Sequence, residues 1–250
     1  MSGVPRRTPT PGRKLRAVVT DVDGTLTDAD RRLDPRAIAV VRRLERRGTP
    51  VVLATGNVLP IALALHRSLG LSGPIVAENG GVTYHQDRGT PVVERLADRA
   101  LALRAWRRVR AAGLPARRLF TDRWRESEVA LEPTVPVARL RAAVAPLPVR
   151  VESTGFAVHL IARTAGKLPA LERLLGPRGL SVRDCVVLGD GDNDAAMLRR
   201  AGFGVSFPSG SPRARAAAQY VTRAEYGAGF VEGLKASGIL DGPGPNRGGP

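Results

Sequence analysis

The stretch Ala17-Val18-Val19-Thr20-Asp21-Val22-Asp23-Gly24-Thr25 decides how the rest of the chain is read. Its apolar run reads as a buried strand, so the carboxylates that follow emerge at the strand's C-terminal end. In an open α/β sheet that end is where ligands bind. Two carboxylates so spaced can divide the labour of covalent phosphoryl transfer: Asp21 attacks phosphorus, Asp23 handles the proton, and Mg²⁺ shields the charge.

Outward from this strand the chain alternates strand and helix. Asp34-Pro35 reads as a helix cap and first helical residue, Ile38, Val41 and Leu44 recur at helical spacing, and Gly48 closes the helix. Pro50 to Ala54 is a second buried strand ending at Thr55-Gly56-Asn57. A helix from about Leu59 to Leu69 leads to the turn Gly73-Pro74 and a third strand, Ile75-Val76-Ala77, which ends at Glu78-Asn79-Gly80-Gly81. Such a β-α-β-α-β series predicts a doubly wound, mostly parallel sheet with helices on its faces.

The pattern changes near Tyr84. From there to Ile161 the chain reads as strands with two helices among them, about Leu96 to Ala112 and Val137 to Val144, as expected of an inserted α+β unit. The α/β pattern returns with a helix starting at Lys167 and a strand, Asp184 to Leu188, that ends at Gly189-Asp190-Gly191-Asp192-Asn193-Asp194. Asn193 or Asp192 is expected to cap the next helix. The division expected is therefore a core domain of residues 13–83 and 162–240, an inserted cap at 84–161, and Pro/Gly-rich disordered tails at 1–12 and 241–250.

Composition limits the alternatives. The chain has 250 residues, 43% of them apolar, enough for one core with a smaller insert. Cys185 is the single cysteine, which excludes an intrachain disulfide and suits a reducing cytoplasm. Residues 1–16 lack the apolar centre of a signal peptide, and no apolar run approaches the roughly 20 residues that span a bilayer. Lys and Arg number 39 against 23 Asp and Glu, a net charge of +16 that attracts anions, whether small phosphates or nucleic acid.

Four loci suit phosphate chemistry: Asp21 with Asp23; Thr55, whose neighbour Gly56 lets backbone amides approach a phosphate oxygen; Lys167 at a helix N-terminus; and the carboxylates from Asp190 to Asp194. In order and context they resemble the four motifs of the haloacid dehalogenase superfamily of phosphatases, and together they frame nearly the whole chain. Thr25-Leu26-Thr27-Asp28, Thr55 to Pro60, Gly73-Pro74 and Glu78 to Gly81 are similar to the archaeal-type phosphoglycolate phosphatases.

The resemblance implies a haloacid dehalogenase-like core with an inserted cap that closes over a small phosphorylated substrate. It implies Asp21 as nucleophile and metal ligand, and Asp23 as acid and base that also offers its carbonyl to the metal. Thr55, Gly56 and Lys167 would bind phosphate, and Asp190 and Asp194 would hold Mg²⁺ or its waters. The expected substrate is 2-phosphoglycolate, with a sugar phosphate or mannosyl-3-phosphoglycerate as the alternative.

The remaining candidates read as structural. His66, His85 and His159 lack ligand spacing, and Trp106 and Trp124 read as cap packing. Arginines cluster from Arg99 to Arg125, but aromatic content is only 4% and no nucleic-acid motif accompanies them, so a solvated face is the simpler reading. One or two could hold a substrate carboxylate.

Overall fold

Four residues of Ala, Val and Thr in β1 (Ala17–Thr20) are buried on both faces, as a central parallel strand requires. The computed structural model describes residues 14–154 and 156–241, so the expected tails lie outside the described residues except for Asp241. After β1 come α1 (Pro35–Arg46), β2 (Val51–Ala54), α2 (Leu59–Leu69), β3 (Ile75–Ala77), β4 (Val82–Asp87) and β5 (Thr90–Arg95). Next are α3 (Arg99–Ala111), β6 (Val129–Leu131), α4 (Val137–Val144), β7 (Val149–Ser153) and β8 (Val158–Ala162). The chain then runs through α5 (Lys167–Leu175), β9 (Cys185–Leu188), α6 (Ala195–Arg200), β10 (Phe203–Ser206), α7 (Pro212–Ala217), β11 (Tyr220–Val221) and α8 (Tyr226–Ala236).

The main sheet has the order β11-β10-β9-β1-β2-β3-β4-β5. Neighbours from β11 to β3 pair in parallel, and β4 and β5 add antiparallel. Alternation along β1 builds two cores. Val18 packs with Val41, Leu44 and Phe230 of α1 and α8, while Ala17 and Val19 pack with Leu171, Leu174 and Leu198 of α5 and α6. The strands adjoining β1 are thereby fixed, and the C-terminal ends of β9, β1 and β2 lie side by side.

The second unit carries its own sheet, β6-β8-β7, and its own core, in which Ala102, Ala105 and Val109 of α3 and Leu140 and Val144 of α4 meet Val129, Leu131, Val151 and Leu160. The cap boundary expected at residue 84 falls inside β4. The β4–β5 hairpin is hydrogen-bonded to β3, and Val82 and Tyr84 are packed in the main core, so the main sheet continues to Arg95. At the other end Ala162, expected in the core domain, still pairs with Val149 of the second sheet. No helix among the described residues is long and apolar enough to cross a membrane.

Between β3 and β4 the chain turns sharply: Glu78, Asn79 and Gly80 take φ of +48°, +55° and +93°. Left-handed backbone at non-glycine residues costs about 1–3 kcal/mol each. Here it is offset by backbone bonds from Glu78 to Asn57 (3.0 Å) and from Asn79 to Thr55 (3.1 Å). Gly80 lies against the start of α5, where a Cβ would come 2.8 Å from the Lys167 nitrogen and closer still to the Gly166 carbonyl. Gly70, also at positive φ, has open space around it. We expect Gly70→Ala to cost about 1 kcal/mol, the backbone penalty alone, and Gly80→Ala clearly more, about 3 kcal/mol, because rigid backbone must also move. Urea midpoints of the two variants check this; equal shifts would show that the turn and α5 separate freely.

Candidate active site

The three adjoining strand ends deliver the site. Asp21 leaves β1 with its N–H donated to the Leu188 carbonyl of β9 (3.0 Å), which holds the first and fourth loci together. The chain then coils, with the amides of Thr25, Leu26 and Thr27 all on the Val22 carbonyl. Gly24 sits at φ +76°, and a Cβ there would lie 2.9 Å from the Asp190 carboxyl carbon. Only glycine permits both the turn and the approach. Thr25 Oγ1 donates to Asp190 Oδ1 at 3.3 Å.

Lys167, in the first turn of α5 and 2% exposed, points its ammonium between two carboxylates. Its Nζ donates to Asp21 Oδ1 at 3.0 Å and to Asp194 Oδ1 at 2.7 Å. Asp194 Oδ2 accepts from the Gly191 N–H at 2.9 Å, so this aspartate also ties down its own loop. Asp21, Asp190 and Asp194 each bring an oxygen within 4.8 Å of the others. Burial, reinforced by Asp194, pushes Asp190 up to about 7, and burial likewise raises Asp21 well above the usual carboxylate range despite Lys167. Burial alone would depress Lys167, but Asp194 and Asp21 outweigh it and its proton is held more tightly than usual.

Asp23 stands at the edge of this cluster. Its Oδ2 accepts from Asn57 Nδ2 at 2.7 Å, and its Oδ1 is 3.9 Å from Arg31 Nε. Thr55 is fully buried, its Oγ1 accepts from the Asn57 N–H at 3.0 Å, and its hydroxyl proton is left to donate elsewhere. Gly56 follows it, and its carbonyl accepts from Arg125 Nη1 at 2.9 Å. The structure thus gathers Asp21, Lys167, Asp190 and Asp194 into one cluster, with Asp23 tied through Asn57 to the Thr55-Gly56 turn.

A buried polar chain that the sequence did not point to joins this site to the second sheet. Asn193, expected as a helix cap, lies instead in a short 3₁₀ turn (Asp192–Asp194) and donates to Asn79 Oδ1 at 2.8 Å. Asn79 donates to Glu128 Oε2 at 3.0 Å; Glu128 Oε1 takes a close ion pair from Arg125 and lies 2.8 Å from His159 Nδ1. Burial would raise Glu128, but His159 and Arg125 outweigh it and hold the carboxyl below its usual range. Glu78, raised by burial, accepts from the amides of Glu126 and Ser127 at 3.0 and 2.9 Å and from Ser127 Oγ at 2.6 Å. The signal available in the sequence was the polar, glycine-rich Glu78-Asn79-Gly80-Gly81, which no apolar periodicity explains.

The other residues sort by their partners. His159 belongs to this bridge, whereas His66 Nε2 is 2.7 Å from the Gly73 carbonyl, a structural contact. Arg99 and Arg118 both pair with the buried Asp122, and Arg117 pairs with Glu132. Trp106 packs against the second unit's core, but Trp124, expected to do the same, is 45% exposed beside Phe120.

Hard carboxylate oxygens in a buried, charge-crowded cluster fit a divalent cation such as Mg²⁺. Asp21, Asp190 and Asp194 could hold it; the Asp23 carboxylate, tied to Asn57, is outside the cluster. A cleft of about 220 Å³ opens beside them, bordered by Asn79, Lys167 and Asn193 on one side and Arg150 and Arg163 on the other.

The profile of the haloacid dehalogenase-like hydrolases matches residues 18–112 and 137–234. The phosphoglycolate phosphatase of Methanothermobacter thermautotrophicus is 38% identical over 221 residues, 88% of this chain and 98% of its own. That of Methanopyrus kandleri is 35% identical over 222 residues, 87% and 95% of the two chains. A crystal structure from Thermoplasma acidophilum superposes with a TM-score of 0.82 at 26% identity, covering 90% of this chain and 99% of that one. A superfamily subclass IIB sugar phosphatase superposes with a TM-score of 0.72 at 17% identity, covering 90% and 99%, a likeness of fold alone. With the profile spanning most of both halves of the chain, this protein belongs to the haloacid dehalogenase-like hydrolase family.

Proposed function

We propose that the chain is a Mg²⁺-dependent phosphatase that hydrolyses 2-phosphoglycolate to glycolate and phosphate through an aspartyl-phosphate on Asp21. The observation that carries the chemistry is Lys167, whose buried ammonium touches both Asp21 and Asp194 beside Asp190. The names of the archaeal relatives, 33–38% identical over nearly their whole length, support the substrate. The second unit serves as the cap, and the single cysteine suits a cytoplasmic setting.

In this reading an Asp21 carboxylate oxygen attacks phosphorus while the bond to the ester oxygen breaks. Asp23, oriented by Asn57, gives its proton to the departing alkoxide. It then takes a proton from the water that attacks phosphorus, which releases phosphate and restores Asp21. The Thr55 hydroxyl, the Gly56 backbone and the Lys167 ammonium hold the transferring group, and Lys167 lessens the repulsion between Asp21 and phosphate. Asp21, Asp190 and the Asp23 carbonyl would hold Mg²⁺, with Asp194 on the ion or its waters, and the bound ion would supply further positive charge. Asn79, Glu128, Arg125 and His159 keep the cap in register with this machinery.

Asp21→Asn should lower kcat/KM at least ~10³-fold on every phosphomonoester while the thermal midpoint stays level or rises, because a buried carboxylate is removed. Turnover within a few fold of wild type would sink the nucleophile. Initial rates on 2-phosphoglycolate, sugar phosphates and p-nitrophenyl phosphate, with Mg²⁺ and with EDTA, separate chemistry from substrate. Preference for 2-phosphoglycolate that EDTA abolishes is expected; preference for a sugar phosphate would keep the chemistry and replace the substrate.

The metal also has a signature in stability. Asp190 and Asp21 have folded-state pKa values raised above those of the unfolded chain, so their contribution is full at low pH and is lost as pH rises, for Asp190 through about 7. In EDTA the thermal midpoint should carry this loss, and Mg²⁺ should offset it by displacing protons. The rise in midpoint caused by Mg²⁺ should therefore be larger near pH ~8 than near pH ~5.5, and Asp190→Ala should remove most of it. An equal rise at both values, or a full rise in the variant, would contradict the site.

A further inference from the structure

We infer that Arg31, a core residue, is the group that recognises the carboxylate of the substrate, with Phe156 of the cap holding it in place. The inference rests on the phosphoglycolate reading above and adds the residue that would make it specific.

Arg31 lies in the tight turn that follows the first locus. Asp28 and Arg32 close that turn, with Asp28 N–H on the Arg32 carbonyl at 2.9 Å, Arg31 N–H on the Asp28 carbonyl at 3.0 Å and Arg32 N–H on Asp28 Oδ1 at 2.9 Å. Within it Arg31 takes φ +62°, a conformation costly for a side chain of its size. The outcome is that its guanidinium crosses the gap between the two units. Its Cζ sits 4.8 Å from the centre of the Phe156 ring, on the β7–β8 side of the cap, and its Nε is 3.9 Å from Asp23 Oδ1.

Position then decides what this cation can do. Asp23 exchanges its proton with the ester oxygen of the leaving group, so that oxygen must lie beside Asp23. In 2-phosphoglycolate one methylene separates the ester oxygen from the carboxylate, which places the carboxylate within a side chain's reach of Arg31. Most of the other cations close to the site are committed, and Arg163 and Arg213, which border the cleft with Arg150, make no ion pair with Asp23. Lys167 is bound to Asp21 and Asp194, and Arg125 is paired with the buried Glu128 and donates to Gly56. Arg150 pairs with Glu152 and donates to the Ala162 and Ala165 carbonyls. Arg31 differs in being 57% exposed and only loosely paired, so turning its planar fork onto a carboxylate gives up little. Stacking on Phe156 makes its position depend on the cap, so that carboxylate capture and closure of the two units are one event.

The sequence left open that one or two of the cap arginines hold a substrate carboxylate; the inference gives this role to an arginine of the core. The sequence could not place Arg31 here, since Asp23 and Phe156 are brought to it by different parts of the chain.

The test compares 2-phosphoglycolate with 2-hydroxyethyl phosphate, in which a neutral hydroxymethyl group replaces the carboxylate. Arg31→Gln should lower the ratio of kcat/KM for the two substrates at least ~30-fold, chiefly through KM for 2-phosphoglycolate. Arg31→Lys should fall between, keeping the charge but not the fork. Phe156→Leu should lower the ratio in the same direction by a smaller factor. Thermal midpoints near wild type in all three would show that each is folded. If wild type prefers 2-phosphoglycolate and Arg31→Gln keeps that preference, the inference falls and the substrate reading stands. If wild type shows no preference for the carboxylated ester, both fall.

Discussion

Everything in the site is arranged around one buried ammonium. Lys167 can lie 2% exposed only because two carboxylates meet it, and Asp21 and Asp194 can lie buried side by side only because it stands between them. These contacts span 146 and 27 residues of sequence, so the cluster forms only when β1, α5 and the loop after β9 have reached their places. One positive charge does not balance three carboxylates. Burial, with this excess of negative charge behind it, raises Asp190 and Asp21.

The same charge problem shapes the backbone. Gly24 and Gly80 stand where β1's outgoing coil meets Asp190 and where the strained turn after β3 meets the start of α5. A side chain at either would push apart elements that must bring charges within hydrogen-bond reach. That strained turn has a second duty, since it presents Glu78 and Asn79 to the cap. Two carboxylates, Glu78 from the core and Glu128 from the cap, are buried there, each with a partner across the boundary. The core and cap thus share a polar junction, which fixes them more specifically than an apolar contact would. Arg125, Glu126, Ser127 and Glu128 of this junction lie in the segment that the family profile does not match, 113–136. Asp21, Lys167, Asp190 and Asp194 all lie in the matched segments, as do Glu78, Asn79 and His159 on the other sides of the junction.

Much of this was legible in the sequence. Buried strands such as Val51–Ala54 and Cys185–Leu188 declare themselves by composition, and the groups at their ends follow, because a parallel sheet puts all its strand exits on one edge. Asp21, Thr55 and Asp190 needed no more than this. The boundary at residue 84 was misplaced because alternation in Val82–Asp87 marks a half-exposed antiparallel strand without saying which sheet it joins. Trp124 looked like packing because aromatic residues usually are, and Asn193 like a cap because its position suits one.

What the sequence by itself determined is the order of strands and helices and the chemical groups at the strand exits, since both follow from local periodicity and residue type. What only the tertiary structure decided is which charges touch: Lys167 between Asp21 and Asp194, Asn57 on Asp23, Arg31 on Phe156, and Glu128 among Asn79, Arg125 and His159. Periodicity places a side chain on a face, but a hydrogen bond or ion pair depends on distances of a few ångströms between segments far apart in the chain, and those are fixed only when the two main cores and the cap have packed.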